Sequence, residues 1–138
     1  MIRVLLADDH QIVREGLSAI ISTQDDMTVV AEATDGGEAI KMWSVHRPDI
    51  VLMDLQMPCV DGVEATRTIC HQHPQARVIA LTASDGGEEV YRVRQAGARA
   101  HVLKGMNRFE LLDTIRRVYR DNSIAASPNE DTHERRNF

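Results

Sequence analysis

One apolar run that ends in an acid limits what this chain can fold into more than any other feature. Residues Ile50 to Met53 are all apolar, and Asp54 follows them directly. A run without polar alternation is typical of a strand covered on both faces, as in a parallel sheet. Pro48 and Pro58 bound the run, because proline cannot supply the hydrogen bonds of a sheet ladder. We therefore predict a buried strand with Asp54 at its carboxyl end, where open α/β sheets collect their ligands.

Four further apolar segments of strand length alternate with segments that have helical periodicity. The other predicted strands cover 2–7, 28–33, 77–82 and 100–103, and the predicted helices cover 11–22, 35–43, 63–71, 88–96 and 109–119. Strands that alternate with helices form a parallel sheet through right-handed crossovers, with helices on both faces. The length of 138 residues suits one such domain and is too short for two. The predicted fold class is therefore α/β, a doubly wound (βα)5 domain.

Charge, hydropathy and cysteine content argue against several classes of protein. The formal net charge of −5 gives no general attraction to nucleic acid. No apolar run approaches the roughly 20 residues of a membrane span, and the amino terminus lacks the pattern of a signal peptide. We therefore expect a cytoplasmic protein without membrane contacts. In that reducing compartment Cys59 and Cys70 are expected to be free thiols.

Polar side chains stand at the ends of four of the five predicted strands. Asp8 and Asp9 follow the first strand, Asp54 the third and Lys104 the fifth, while Thr82 ends the fourth. Each alone is compatible with an ordinary polar cap, but parallel strands bring all of them to one edge of the sheet. Paired carboxylates repel by roughly 4 kcal/mol at 4 Å in an effective dielectric near 20. The cluster therefore requires a cation, and Mg²⁺ prefers oxygen ligands of this kind. A carboxylate nucleophile, a metal, an ammonium and a hydroxyl together favour phosphoryl transfer.

Four short motifs carry a resemblance to a known family. They are Ala7-Asp8-Asp9-His10, Asp54-Leu55-Gln56-Met57-Pro58 with Asp61-Gly62 beyond it, Leu81-Thr82-Ala83, and Leu103-Lys104. With them the sequence resembles the receiver domain of two-component response regulators, from residue 2 to about residue 120. Residues 13–17 and 63–67 are most similar to the NarL/FixJ branch, the LuxR-type regulators. The resemblance implies a flavodoxin-like fold with a parallel five-stranded sheet of order 2-1-3-4-5.

The resemblance also implies how the acids at the strand ends work. Asp54 is expected to be the phosphoacceptor, which receives its phosphoryl group from a phosphohistidine of a sensor histidine kinase. Asp54, Asp9 and the backbone carbonyl of Gln56 are expected to ligate Mg²⁺, and Asp8 to hold it through water. Such a domain is a signalling switch rather than an enzyme, and it assists only its own phosphorylation and dephosphorylation.

The resemblance implies that Thr82 and Lys104 bind the phosphoryl oxygens and thereby start the conformational switch. The family often has Tyr or Phe in the fifth strand, where this chain has His101. We predict that His101 takes part in the switch with Thr82 and is not a metal ligand, although its charge can change near neutral pH. Gln56 and Ser84 flank the site and are predicted to tune the lifetime of the phosphoryl group.

The likeness to the NarL/FixJ branch implies output through a C-terminal helix-turn-helix domain, which these 138 residues are expected to lack. Only that domain would bind DNA and control transcription. We predict that residues 1–121 form the receiver domain and that residues 122–138 form a polar tail or the start of a linker. A stand-alone receiver that acts by protein contacts is the alternative. Family analogy also puts a possible homodimer surface on the fourth helix, fifth strand and fifth helix.

Two other functions are compatible with an acidic site on this fold but fit the sequence less well. A flavin or nucleotide carrier needs a phosphate cradle rich in Gly, Ser and Thr after the first strand, where Asp8 and Asp9 would repel phosphate. A Mg²⁺-dependent phosphatase with an aspartyl intermediate normally has a second acid two residues past its nucleophile. That position is Gln56 here.

Overall fold

The computed structural model describes residues 1–83 and 86–121. Ten elements alternate along them: β1 (Ile2–Ala7), α1 (Gln11–Ser22), β2 (Met27–Ala33), α2 (Gly36–His46), β3 (Ile50–Asp54), α3 (Gly62–Gln72), β4 (Val78–Thr82), α4 (Glu88–Ala96), β5 (Ala100–Leu103) and α5 (Arg108–Arg120). Neighbouring strands are parallel and have the order β2-β1-β3-β4-β5. The predicted flavodoxin-like (βα)5 fold is confirmed. The predictions for Ser84 and for the tail 122–138 lie outside the described residues.

The sheet separates two hydrophobic cores, because successive side chains of a strand point to opposite faces. On one face, alternate strand residues pack against α2, α3 and α4, whose core members include Trp43, Ile69 and Val93. On the other face, the remaining strand residues pack against α1 and α5, whose core members include Ile21 and Ile115. Every residue of β3 is buried, as its unbroken apolar run predicts.

Side-chain caps set where three of the helices begin. Asp35 Oδ1 accepts a hydrogen bond from the backbone N–H of Glu38 at 2.8 Å, which is the usual contact of an N-terminal helix cap. Asp61 and Asn107 cap α3 and α5 in the same way. These caps satisfy backbone N–H groups that have no partner within the helix. The path of the chain into each helix is thereby fixed.

Helix α4 ends where the sequence predicts, at Gly97. The φ angle of Gly97, 118°, lies in the left-handed region that favours glycine. A Cβ on Gly97 would lie 2.8 Å from Cys70 Cβ, so the contact between α3 and the end of α4 leaves no room for a side chain. Burial raises the pKa of the Cys70 thiol to about 11, whereas Cys59 is exposed. Both are free thiols, as predicted.

Two close glycine contacts fix the loop between β3 and α3. The backbone N–H of Gly62 donates to the Leu55 carbonyl at 3.0 Å, and a Cβ on Gly62 would collide with the backbone carbonyl of Asp54. Gly36, the first residue of α2, donates to the Val60 carbonyl at 2.9 Å and also lacks room for a Cβ. The backbone that follows Asp54 is therefore packed tightly against its neighbours.

Candidate functional site

The carboxyl edge of the sheet brings the predicted strand-end residues together. Asp54 ends β3 and Asp8 follows β1, and these residues are only 2% and 0% exposed. Lys104 Nζ lies 3.0 Å from Asp54 Oδ1 and 3.5 Å from Asp8 Oδ2. Asp9 lies at the exposed side of the same cluster. One ammonium therefore contacts two buried carboxylates.

Backbone hydrogen bonds continue beyond the ends of the strands and fix the positions of these residues. The backbone N–H of Asp8 donates to the Ala33 carbonyl at 3.0 Å, and that of Lys104 donates to the Thr82 carbonyl at 2.9 Å. The Arg14 guanidinium on α1 donates to the Asp8 carbonyl at 2.7 Å. The acidic and basic groups are thus attached to the rigid edge of the sheet.

Burial and charge pairing oppose each other at this edge. Burial raises the pKa of Asp54 above its ordinary value; the hydrogen bond from Lys104 opposes that change, and the charge of Asp8 adds to it. The pKa of Lys104 is also raised, because the hydrogen bonds and charges of Asp54 and Asp8 outweigh the effect of burial, which alone would lower it. The ionised carboxylates are only partly compensated by one ammonium, and a further cation would stabilise them.

The acidic cluster has the donor chemistry of a divalent metal site. One ligand atom from each of Asp8, Asp9, His10 and Asp54 lies within 4.8 Å of all the others. Asp54 Oδ2 is fully buried and receives no hydrogen bond from the described residues. A buried carboxylate oxygen without a partner is costly, so this oxygen fits a group that binds a cation. The residues present therefore fit Mg²⁺, which takes oxygen ligands.

Gln56 lies at the mouth of the site through both its backbone and its side chain. Its backbone N–H donates to Asp54 Oδ1 at 3.2 Å, which puts the peptide group beside the carboxylate. Its side-chain amide donates to Glu89 Oε2 of α4 at 3.4 Å. Sequence reasoning did not find Glu89, because a contact over 33 residues depends on how α4 packs beside the loop after β3.

Thr82 and His101 lie on the neighbouring strands β4 and β5. Thr82 is 1% exposed, and its hydroxyl donates to the Val102 carbonyl at 3.5 Å. His101 is half-buried and pairs with Ala80 across the parallel ladder. The Thr82 hydroxyl thus points to the backbone of the strand that carries His101. The structure brings both near the edge that holds Asp54.

His10 belongs to the cluster, although sequence reasoning assigned it no role. Its Nδ1 lies 3.1 Å from Asp8 Oδ1 and 3.2 Å from Asp9 Oδ1. Its position directly after an acidic pair, where β1 turns into α1, was the signal available in the sequence. That signal is weak because an exposed histidine at a helix start is common.

The fold and the edge residues together define the class of protein, a flavodoxin-like receiver domain with an acidic site at the carboxyl edge of its sheet. The chain belongs to the family described as the response regulator receiver domain, whose sequence profile matches residues 4–116. It is the receiver domain of a two-component response regulator, and domains of this kind signal rather than catalyse. Within residues 1–83 and 86–121, no helix is both long and apolar enough to cross a membrane.

Similar proteins identify the branch of the family. The transcriptional regulatory protein LiaR of Bacillus subtilis is 44% identical over 116 residues, which cover 84% of this chain and 55% of LiaR. The chain thus spans little more than half the length of this curated relative. A LuxR-family response regulator from Aurantimonas sp. SI85-9A1 superposes with a TM-score of 0.83 at 38% identity, with 98% of both chains covered. The response regulator domain of Thermotoga maritima CheB gives 0.84 at 32% identity, with 89% of this chain and 99% of that one covered. The predicted NarL/LuxR branch is confirmed.

Proposed function

We propose that Asp54 accepts a phosphoryl group from a phosphohistidine of a sensor histidine kinase. One observation carries this proposal. Asp54 is a buried carboxylate with one oxygen 3.0 Å from the Lys104 ammonium and the other without a hydrogen bond from the described residues. A carboxylate held in this way is oriented for attack, and its unpartnered oxygen has the chemistry to bind a cation. In the transfer, the phosphorus–nitrogen bond of the donor breaks, a phosphorus–oxygen bond to Asp54 forms, and the donor imidazole leaves.

The residues of the edge divide the work of the transfer between them. Asp54, Asp9 and the Gln56 backbone carbonyl would hold Mg²⁺ directly, and Asp8 would hold it through water; the ion supplies positive charge to the transferring oxygens. Lys104, already in contact with the Asp54 carboxylate, neutralises the charge that the phosphoryl group adds. Gln56 and its partner Glu89 stand at the mouth of the site, where they limit the access of the attacking water. The domain thereby assists its own phosphorylation and dephosphorylation without acting on a separate substrate.

The phosphoryl charge then moves the neighbouring strand ends. Thr82 gives up its 3.5 Å hydrogen bond to Val102 and turns toward the phosphoryl oxygens. His101, on the same strand as Val102, moves inward with it. The proposed output surface is the face made by α4, β5 and α5, through which two copies of the chain pair. These steps rest on family analogy.

A second part of the proposal concerns the whole protein, of which this chain is expected to be one part. LiaR is a transcriptional regulatory protein by name, and this chain covers only part of such relatives. We propose that residues 1–121 are the receiver domain, that 122–138 begin a linker, and that a C-terminal helix-turn-helix domain binds DNA. The alternative is a stand-alone receiver that acts by contact with other proteins. The proposed compartment is the cytoplasm, as expected from the sequence.

The experiment is the intact mass of the protein after incubation with acetyl phosphate, with and without Mg²⁺. We expect a gain of one phosphoryl group that requires Mg²⁺ and is lost in Asp54→Asn. The matched control is Asp25→Asn, which removes an exposed carboxylate before β2, at the opposite edge of the sheet, and should be modified like the wild type. Modification of Asp54→Asn at the same rate would show that another residue is the acceptor and would refute the proposal.

A further inference from the structure

We propose that His10 is a metal ligand, so that the acidic site also binds divalent transition-metal ions such as Co²⁺ or Ni²⁺ through one imidazole nitrogen. The inference rests on the proposed metal site at Asp9 and Asp54 and adds a ligand to it. An all-oxygen site suits Mg²⁺, whereas an imidazole among carboxylates suits the later first-row metals. Compared with a site of oxygen ligands alone, the site would bind these transition-metal ions more tightly relative to Mg²⁺.

The separation of the donor atoms fits one ion shared among them. In an octahedral site with metal–ligand distances near 2.1 Å, neighbouring donors lie roughly 3 Å apart. His10 Nδ1 lies 3.1 Å from Asp8 Oδ1 and 3.2 Å from Asp9 Oδ1. The set of four ligand atoms, with Asp54 included, stays within 4.8 Å. The imidazole therefore lies beside the carboxylates at the spacing of neighbouring ligands. The Asp8 contact is also a hydrogen bond of Nδ1, so an ion bound here replaces that bond and takes the lone pair of the tautomer protonated on Nε2.

The local backbone directs the ring to the acids and away from the helix that it precedes. The backbone N–H of His10 donates to Asp8 Oδ1 at 2.8 Å, which closes a tight turn directly after β1. His10 occupies the N-cap position of α1, yet its side chain makes no hydrogen bond to the first turn of that helix. Its Nδ1 faces the acidic pair, and the ring is 62% exposed, so an ion can enter from solvent.

A second observation points to a cation at this place. Asp54 Oδ2 is fully buried and receives no hydrogen bond from the part of the chain that the structure describes. The carboxylate is already oriented on its other oxygen by Lys104 and by the Gln56 backbone. The remaining oxygen is thus a preformed ligand. Folding has already removed its water, so ion binding does not have to. Together with Asp9 and His10, Asp54 supplies a mixed oxygen and nitrogen ligand set.

A different role for His10 makes the opposite prediction. If the ring served only as a protonated counter-charge to Asp8 and Asp9, it would compete with every divalent ion. Its removal would then tighten the binding of Mg²⁺ and Co²⁺ alike. If the ring is a ligand, its removal weakens Co²⁺ far more than Mg²⁺, because nitrogen ligands contribute little to Mg²⁺ binding.

The experiment compares Co²⁺ and Mg²⁺ affinities by calorimetry in the wild type, in His10→Phe and in His71→Phe. Phenylalanine keeps a planar ring and removes the nitrogens, and His71 is an exposed imidazole on α3 that controls for weak surface binding. We expect Co²⁺ affinity to fall roughly ten-fold or more in His10→Phe, with a smaller change for Mg²⁺ and no change in His71→Phe. Electron paramagnetic resonance of bound Cu²⁺ should show nitrogen coupling that only His10→Phe removes.

Each outcome decides between the two proposals. An equal change for Co²⁺ and Mg²⁺ in His10→Phe, or nitrogen coupling that persists in it, overturns the assignment of His10. If the wild type nevertheless binds Mg²⁺ and gains its phosphoryl group, the proposed function stands and only this inference fails. If Mg²⁺ neither binds nor supports modification while Co²⁺ binding depends on His10, the proposed function fails and the ligand assignment stands.

Discussion

The two edges of the sheet treat charge in opposite ways. At the carboxyl edge, Asp8 and Asp54 are buried and share the one ammonium of Lys104. At the amino edge, the exposed carboxylate of Asp26, just before β2, is bound on both oxygens by Arg116 of α5, at 2.8 and 2.9 Å. One edge concentrates charge that is incompletely paired, and the other pairs its charges in solvent.

Other charged side chains at the amino edge bind backbone groups. Asp49, just before β3, accepts a hydrogen bond from the Arg3 backbone N–H at 2.8 Å, and the Arg3 guanidinium donates to the Arg47 carbonyl at 2.9 Å. These bonds connect the start of β1 to the segment that enters β3. The comparison indicates that the amino edge serves stability, while the carboxyl edge keeps an electrostatic arrangement that stability alone would not select. The following substitutions test that difference.

The largest loss in the free energy of unfolding is expected for Gly62→Ala, where the backbone contact is closest. The new Cβ would collide with the Asp54 carbonyl, so α3 or the loop after β3 must shift, at a cost of about 3 kcal/mol in the free energy of unfolding. Urea denaturation measures this loss. The control is Gly16→Ala in α1, where a Cβ would have no neighbour within 4 Å among the described residues outside its own helix backbone. This variant should gain roughly 0.5–1 kcal/mol from helix propensity. Equal effects of the two would show that the contact is not restrictive.

A somewhat smaller loss in the free energy of unfolding is expected for Lys104→Ala. This variant leaves Asp8 and Asp54 buried without the ammonium group. Removing one partner of a buried pair is strongly destabilising, and the partial exposure of Lys104, 29%, reduces the loss to about 2 kcal/mol at pH 7. Because folding raises the pKa of Lys104, its contribution is full at neutral pH and disappears only as alkaline pH passes the raised pKa.

The double variant Lys104→Ala with Asp54→Asn is the control for that substitution. It removes the carboxylate that Lys104 contacts most closely and should recover most of the lost free energy of unfolding. If the double variant were as unstable as Lys104→Ala alone, the loss would come from packing of the lysine side chain rather than from charge.

Asp54→Asn alone should stabilise the protein by about 1 kcal/mol at pH 7. Since burial raises the pKa of Asp54 in the folded state, the unfolded chain ionises it more readily. The ionised carboxylate therefore costs stability above its unfolded pKa, and below that pKa the cost disappears. Thermal denaturation from pH 4 to pH 8 should show a difference between variant and wild type that grows as pH rises. A constant or inverted difference would contradict the electrostatic explanation.

The smallest effect is expected at the amino edge, for Arg116→Ala. The hydrogen bond from Arg116 lowers the pKa of Asp26, but the pair is exposed to solvent, so its contribution is at most about 0.5 kcal/mol. That contribution is present above the ordinary pKa of an aspartate and is lost as pH falls through the lowered value. Denaturation at low and high salt should show that the loss shrinks with screening. A loss as large as that of Lys104→Ala would remove the contrast between the edges.

The sequence predicted the fold and the gathering of the site because both follow from short-range patterns. Apolar runs and helical periodicity define the elements, and parallel strands necessarily bring Asp8, Asp54 and Lys104 to one edge. The roles assigned to these residues remain predictions. The pairing of individual atoms was not predictable, because it depends on packing. The orientation of the Thr82 hydroxyl to Val102 and the contact of Gln56 with Glu89 both require the positions of elements that are distant in sequence.

The burial of Cys70 against Gly97 gives the chain two thiols with different chemistry. Only the thiolate reacts with alkylating or disulfide reagents, and with a pKa of about 11 Cys70 is almost entirely in the thiol form at neutral pH. We therefore expect the partly buried Cys70 to react more slowly than Cys59, which is exposed in the native protein. The ratio of the two labelling rates in one molecule should show this difference, because Cys59 reports the activity of the reagent. The chain thus contains a slowly reacting thiol at the contact of α3 with the end of α4 and an exposed thiol that serves as its internal reference.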